Sequence, residues 1–96
     1  MDSPIYVDSV KVMTYKDRLS LVIMGSFPDG CTNIGQATHR VESEGISLQL
    51  EGWRNPELTC TQALVSFSFV YSQVPEQVLE RADSVNVNNT NYPLNN

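Results

Sequence analysis

The residues best suited to chemistry in this chain are two cysteines and a single histidine. Cys31 and Cys60 lie 29 positions apart, and His39 is the only histidine. A structural zinc site needs about four ligands, usually in closely spaced pairs, so these three residues are too few. A blue-copper site is excluded for the same reason, because it takes two histidines, a cysteine and a weak axial ligand. We therefore predict no metal site.

The two cysteines leave two interpretations, a disulfide bond or two buried thiols that act as small apolar residues. Cys31 follows a predicted turn and Cys60 precedes a predicted strand, positions that can lie close together in a β-sandwich. A disulfide that closes a loop of this size contributes about 3–4 kcal/mol in the chain-entropy model. That is a large part of the about 5–15 kcal/mol that stabilises a small domain, so we favour the disulfide. It would indicate an oxidising compartment.

No arrangement of residues in the sequence is typical of an active site. His39 falls in a predicted strand, where a lone histidine is expected to be a surface or half-buried residue. The chain has no G-x-S-x-G motif for a serine nucleophile and no glycine-rich nucleotide-binding loop. Glu42, Glu44 and Glu51 surround a predicted hairpin but match no calcium-binding loop, and we interpret them as a solvated rim. We predict a protein that is not an enzyme and has no cofactor.

Charge and length narrow the classes of partner and the number of domains. The chain has 96 residues and a net charge of −5, which suits one small domain. An acidic chain argues against nucleic acid as a partner, because nucleic acid is bound through an excess of Lys and Arg. No apolar run approaches the roughly 18–20 residues that span a bilayer, so we predict no membrane-spanning segment.

Apolar residues alternate with polar ones along most of the chain, which is the pattern of half-buried β-strands. The alternation predicts strands at 5–12, 19–26, 36–41, 46–50, 63–71 and 84–88. Segment 75–82 instead begins with proline and continues with good helix formers, which predicts a short helical turn. The spacing of the turns predicts an all-β fold, a small antiparallel immunoglobulin-like β-sandwich of about six or seven strands.

The end of the chain has a different composition. Six of the eleven residues from 86 to 96 are asparagine, and little apolar pattern remains after residue 87. We therefore predict a single domain over residues 4–90 and a disordered tail at 91–96.

Two loops carry residue types that are common in protein interfaces. One contains Phe27, Pro28 and Asp29, and the other contains Trp53 and Arg54. Tryptophan and arginine often dominate binding energy, so these five residues are candidate interaction residues. The alternative for Trp53, the only tryptophan, is a packing role in the core or at a sheet edge.

Three segments resemble the motifs of a family of bacterial exported domains. Residues 25–32 read GSFPDGCT, residues 60–64 read CTQAL and residues 85–88 read VNVN, similar to the family's G-x-x-P-D-G-C-T, C-x-Q-A-L and V-x-V-N. The similarity extends over roughly residues 4–89. The chain departs from the family at 79–83, where a Pro-Gly-Tyr turn is usual, and at Asn89, which replaces a glycine.

This resemblance implies a small immunoglobulin-like β-sandwich with Cys31 and Cys60 bridged and with no assigned activity. It also implies an extracytoplasmic protein, which is secreted, periplasmic or lipid-anchored, with the signal segment expected to be absent from this chain. The function we expect is a non-enzymatic exported module that binds an unknown protein or cell-surface component. The alternatives are an inhibitor of an extracytoplasmic hydrolase and an accessory subunit of an extracytoplasmic complex.

Overall fold

A computed structural model of the protein describes residues 1–43 and 45–94, which form eight strands and one helix. The elements are β1 (Asp2–Ser3), β2 (Tyr6–Tyr15), β3 (Arg18–Phe27), β4 (Asn33–Glu42), β5 (Gly45–Trp53), β6 (Val65–Tyr71), α1 (Glu76–Arg81), β7 (Ser84–Val87) and β8 (Thr90–Pro93). Each predicted strand is present, and the predicted helical turn is confirmed as α1. The described part of the chain contains no helix with the length and apolarity that crossing a membrane requires.

The strands form two sheets that face each other as a sandwich, which confirms the predicted fold class. The smaller sheet has the order β2-β3-β6, with β3 in the centre. In the larger sheet β5 is central. β4 pairs with one of its edges over the whole length, so β1 and β7 share the other edge, and β8 pairs with β7.

One pairing differs from the predicted antiparallel sandwich, because β5 and β7 run parallel. Ile46, Ser47 and Leu48 of β5 lie opposite Val85, Asn86 and Val87 of β7. The chain between them passes through β6 in the other sheet and through α1 before it returns. Parallel neighbours require such a crossover connection, which alternation along single strands does not predict.

The core lies between the two sheets and is built from the alternating apolar residues of both. Along β5 the inward residues Ile46, Leu48 and Leu50 are buried, while Gln49 and Glu51 between and beyond them are exposed. Leu79 is the buried residue of α1, and it ties the helix to this core. The buried cluster consists of Val10, Leu21, Ile23, Ile46, Leu48, Leu50, Tyr71, Val74, Leu79, Val85, Val87 and Leu94.

A tyrosine hydroxyl connects the two sheets at each open side of the sandwich. On one side Nδ1 of His39 in β4 and the hydroxyl of Tyr71 in β6 form a hydrogen bond of 2.6 Å. On the other side the hydroxyl of Tyr92 in β8 donates to the carbonyl oxygen of Val7 in β2 at 3.2 Å. His39 is half-buried, as the sequence predicts, and its ring is held by the fold.

The end of the chain corrects the prediction of a disordered tail at 91–96. Strand β8 pairs with β7, and the backbone N–H of Leu94 donates to the carbonyl oxygen of Asp83 at 2.9 Å. Leu94 is buried in the core cluster. Residues 91–94 are therefore part of the sandwich, and residues 95 and 96 lie outside the described residues.

Candidate functional site

A disulfide bond between Cys31 and Cys60 confirms the favoured interpretation of the cysteines. Cys31 follows β3, and Cys60 lies in the connection 54–64 between β5 and β6. Their Cα atoms are 5.6 Å apart, within the usual range for a disulfide. The backbone N–H of Gly30 also donates to the carbonyl oxygen of Thr61 at 3.1 Å. The connection is thus attached to the β3–β4 turn by a covalent bond and a hydrogen bond side by side.

Asp29 organises the turn between β3 and β4. Its Oδ1 accepts hydrogen bonds from the backbone N–H groups of Cys31 and Thr32 and from the Thr32 hydroxyl, each at 2.9 Å. The N–H of Cys31 makes the largest contribution to a lowered pKa of Asp29, with further lowering by Thr32 and Arg54 that outweighs the opposing effect of desolvation. Asp29 is only 6% exposed. The predicted interaction residue is therefore a structural one.

Arg54 fixes the beginning of the 54–64 connection. Its Nη1 lies 3.4 Å from Oδ2 of Asp29, so the two predicted interaction loops meet in an ion pair. The backbone N–H of Arg54 donates to the carbonyl oxygen of Met1 at 2.9 Å. Its Nε is buried and has no hydrogen-bond partner among residues 1–43 and 45–94.

Phe27 and Pro28 are less available than the sequence predicts. Phe27 is the last residue of β3 rather than a loop residue, and it is half-buried. Its ring stacks on Phe67, with the ring centres 4.4 Å apart and the planes 15° from parallel. Pro28 is also half-buried. Phe27 therefore packs on Phe67, which itself lies against the core cluster.

Trp53 is the exposed member of the five predicted interaction residues. It is the last residue of β5, and 49% of its surface is exposed. It lies against Gly35, where an added Cβ would come within 2.9 Å of the Trp53 Cβ. The β4 register shifts between Ile34 and Gln36, so Gly35 forms an irregularity beside the indole. The lack of a side chain at Gly35 thus sets the position of Trp53.

The sequence analysis missed three apolar residues beside the disulfide. Leu58 and Leu64 are 52% and 69% exposed, and Val65 at the start of β6 is also exposed. An asparagine turn holds the first of them in place, since the N–H of Leu58 donates to the carbonyl oxygen of Asn55 at 3.3 Å. For Leu58 the available signal was an isolated apolar residue in a polar loop, whereas Leu64 and Val65 fall in the predicted strand 63–71. We call Trp53, Leu58, Leu64 and Val65 the disulfide-end surface.

The acidic residues near the β4–β5 turn do not form one group. Glu42 lies at the end of β4, opposite Gly45. Glu51 lies six positions further along β5, about 20 Å away at the usual rise per residue. Glu44 lies outside the described residues. Among residues 1–43 and 45–94 no three His, Cys, Asp or Glu side chains come together in a way that could hold a metal ion.

Comparison with known proteins identifies a family through a family model, but no individual protein. No curated protein and no solved structure matches the chain significantly. One family model, described as the ORF11 beta-sandwich domain, matches residues 21–94. This match begins within β3 and ends at the buried Leu94, so it includes both cysteines, the helix and strands β4 to β8 but not β1 or β2. The chain therefore belongs to the ORF11 beta-sandwich domain family.

Proposed function

We propose that this domain is a non-enzymatic protein-binding module and that the disulfide-end surface is its contact surface. The observation that carries the proposal is the exposure of Trp53 at 49%, beside a connection that bears two further exposed leucines. Large aromatic residues with apolar neighbours are the usual centres of binding energy in protein interfaces. Leucines of this exposure contribute less to the stability of the isolated domain than buried leucines, because less of their apolar surface is removed from water.

The way this surface is held supports the proposal. Cys60 and Thr61 attach the middle of the 54–64 connection to the β3–β4 turn, and Arg54 attaches its beginning to Asp29. A loop that is ordered before it binds loses less conformational entropy in the complex. Each of these attachments is internal and leaves the indole of Trp53 and the side chain of Leu64 exposed.

We also propose an extracytoplasmic location, either secreted, periplasmic or lipid-anchored. An intramolecular disulfide is compatible with an oxidising compartment, where such bonds form and persist. The non-enzymatic part of the proposal is supported by the state of the polar residues. Asp29 accepts three hydrogen bonds within its own turn and pairs with Arg54, so its carboxylate serves the turn.

The test compares two variants that remove an exposed aromatic ring at opposite ends of the domain. Trp53→Ala removes the centre of the disulfide-end surface, and Tyr15→Ala removes a ring that is 44% exposed at the far end of β2. Immobilised wild type and variants are used to capture proteins from an extracytoplasmic fraction, and the captured partner is then produced and titrated. We expect Trp53→Ala to weaken binding at least about tenfold and Tyr15→Ala to change it less than about twofold.

Leu64→Ser provides a second, independent probe of the same surface, since an exposed residue can be replaced without harm to the core. It should weaken the same complex, and circular dichroism should confirm that each variant is folded. Equal binding by wild type, Trp53→Ala and Leu64→Ser would show that the partner binds elsewhere. Loss of binding only in Tyr15→Ala would place the contact at the opposite end.

An inhibitor of an extracytoplasmic hydrolase is the second candidate. It is favoured by the 54–64 connection, because the disulfide holds this loop in place and it could enter an active site without changing its conformation. An accessory subunit is the third candidate, favoured by β4, a ten-residue strand that pairs with β5 alone among the described strands. The titrated partner distinguishes them. Inhibition of a hydrolase lost with Leu64→Ser would indicate the second, and protection of β4 amides from hydrogen exchange would indicate the third.

A further inference from the structure

A polar cleft of about 350 Å³ lies on the outer side of the larger sheet, at the end of β5 opposite Trp53. Its volume is within the range of about 300–1,000 Å³ of small-molecule sites. The cleft is lined by Glu42, Gly45, Ile46, Ser47, Ser84, Asn86, Asn89 and Asn91. Five of these eight residues are serine or asparagine, so the lining is dominated by neutral hydroxyl and carboxamide groups.

The strand pairing brings these side chains together. Ser47 of β5 is opposite Asn86 of β7, and Asn86 is opposite Asn91 of β8. Ser47 and Asn86 are half-buried and Asn91 is exposed, as expected for the outer face of a sheet. These three residues therefore form a row across three strands, about 5 Å apart from one strand to the next.

The asparagines between 86 and 91 have two different tasks. Asn88 is structural, because its Oδ1 accepts a hydrogen bond from the backbone N–H of Leu50 at 2.8 Å. Asn86, Asn89 and Asn91 line the cleft and make no side-chain hydrogen bond to another described residue. The fold accounts for Asn88 through this hydrogen bond and for Asn89 through its positive φ of 71°, but it does not account for the side chains of Asn86 and Asn91.

The chemistry of the lining selects the kind of ligand. A carboxamide presents a donor and an acceptor side by side, and a serine hydroxyl can act as either. Two neighbouring hydroxyl groups of a sugar can likewise supply one donor and one acceptor, so such a pair of hydroxyls can hydrogen-bond to a single carboxamide. Among the described residues that line the cleft, Glu42 is the charged one and no Lys or Arg is present, which does not favour phosphate or another anion. The Ile46 side chain is buried in the core cluster, so the polar side chains of the lining provide the contacts to a ligand.

We propose that this cleft, which we call the asparagine cleft, binds a neutral saccharide. Asn86, Asn91 and Ser47 hydrogen-bond the sugar hydroxyls, and Asn89 contacts the ligand from the β7–β8 turn. The site is open to solvent on one side, so a single sugar should bind weakly, with a dissociation constant of about 1 mM. The asparagine cleft is separate from the disulfide-end surface, and each can fail its test without affecting the other.

The experiment is an NMR titration of the full ¹⁵N-labelled chain, in which side-chain amide signals report directly on the asparagines. The probes are glucose, mannose, galactose and N-acetylglucosamine, followed by the disaccharide and trisaccharide of whichever binds. We expect saturable shifts of the Asn86 and Asn91 side-chain amides with at least one neutral sugar. Asn86→Ala and Asn91→Ala should each weaken that binding about tenfold, the effect of removing a bidentate contact.

Two variants separate binding from folding. Gln49→Ala removes an exposed amide from the same strand as Ser47 but outside the cleft, and it should leave the affinity within about twofold of wild type. Asn89→Gly removes the carboxamide but suits the backbone, since Asn89 has a φ of 71° in which glycine is unstrained. This variant should have the same or a higher melting temperature than wild type and should nevertheless bind the sugar more weakly.

Three results would overturn the proposal. The first is the absence of a saturable shift with every sugar of the panel. The second is a shift that Asn86→Ala and Asn91→Ala leave unchanged. The third is a response of the same amides to Ca²⁺ alone, which would indicate a cation site with Glu42. A sugar titration that persists in Trp53→Ala while protein capture is lost would show that the two surfaces act independently.

Discussion

Asp29 is a charged residue of a type that the sequence suggests for binding a partner, but in the structure its side chain stabilises its own turn. Its carboxylate oxygen accepts three hydrogen bonds from the turn that contains Cys31 and Thr32. The same turn carries one end of the disulfide. The charge of Asp29 therefore helps to place Cys31 opposite Cys60 and to hold Arg54 at the start of the connection that bears the disulfide-end surface.

The lowered pKa of Asp29 predicts how stability depends on pH. The folded state holds this pKa below the ordinary value of 3.8, so the carboxylate stabilises the fold at every pH above 3.8. That stabilisation is lost as the pH falls through the lowered folded value. Urea unfolding of wild type and Asp29→Asn from pH 7 to pH 2 should show the largest difference at neutral pH and convergence at the acid end.

Glu80→Gln is the control for this comparison, because it removes the same charge from an exposed position of α1. Its unfolding curves should follow those of wild type at each pH. A difference between wild type and Asp29→Asn that stays constant down to pH 2 would mean that geometry, and not charge, explains the effect.

At the scale of elements, the β7–β8 turn links two strands and also forms hydrogen bonds with a third strand, β5. Asn88 and Asn89 both have positive φ values, 50° and 71°, as a two-residue type I′ hairpin requires. Beyond the last β7 residue, the Asn88 N–H donates to the carbonyl oxygen of Leu48, and its side chain accepts from the N–H of Leu50. One asparagine thus extends the parallel β5–β7 pairing by two hydrogen bonds.

Asn88→Ala should destabilise the domain by about 1–3 kcal/mol, because the backbone N–H of the buried Leu50 loses its acceptor. Asn88→Asp is the matched variant, since it keeps an acceptor oxygen and also tolerates positive φ. It should be the milder of the two changes. The measurement is the free energy of unfolding in urea, and equal losses in the two variants would contradict the role of the hydrogen bond.

At the scale of the whole molecule, the sandwich separates two surfaces at opposite ends of β5. The disulfide-end surface surrounds Trp53, and the asparagine cleft surrounds Ser47. The rigid strand between them is buried on its inner face, at Leu48 and Leu50. The disulfide stabilises one end only, whereas the pairing of β5 with β7 and β8 forms the other.

Removal of the disulfide in a Cys31→Ser, Cys60→Ser double variant should lower the free energy of unfolding by about 3–4 kcal/mol. The cross-link lies at one end, so hydrogen exchange should accelerate most in the 54–64 connection and least in β7 and β8. Reduced wild type is the control and should behave in the same way. A loss below about 1 kcal/mol would show that the remaining contacts of the β3–β4 turn hold this end without the cross-link.

Much of the fold could be predicted from the sequence, because strand alternation is a local signal. For example, Ile46, Leu48 and Leu50 alternate with polar residues in the sequence, and the same three residues form the buried face of β5. The exceptions are the two-residue β1 and also β8, where asparagine has low strand propensity. Strand β8 exists because Tyr92 reaches across to Val7 and Leu94 enters the core, and neither contact is local.

Less of the candidate site could be predicted. The sequence predicts Trp53, Arg54 and Asp29 as candidate interaction residues, but their exposure depends on what packs over them. Arg54 and Asp29 pair with each other, and Trp53 remains exposed. The exposure of Leu58 was missed, since an apolar residue in a loop has no periodic neighbours that would mark it as exposed or buried. Leu64 falls in the predicted strand 63–71, whereas β6 begins at Val65 and leaves Leu64 in the connection.

The sequence by itself determined the all-β class, the short helix and the cysteine pair, because periodicity, proline placement and cysteine spacing are properties of neighbouring residues. The tertiary structure decided which apolar residues stay exposed and which asparagines share a cleft. Ser47 and Asn86 are far apart in the chain, and only the parallel pairing of β5 with β7 makes them neighbours. Pairings between distant strands depend on the packing of the whole core, which no local pattern encodes.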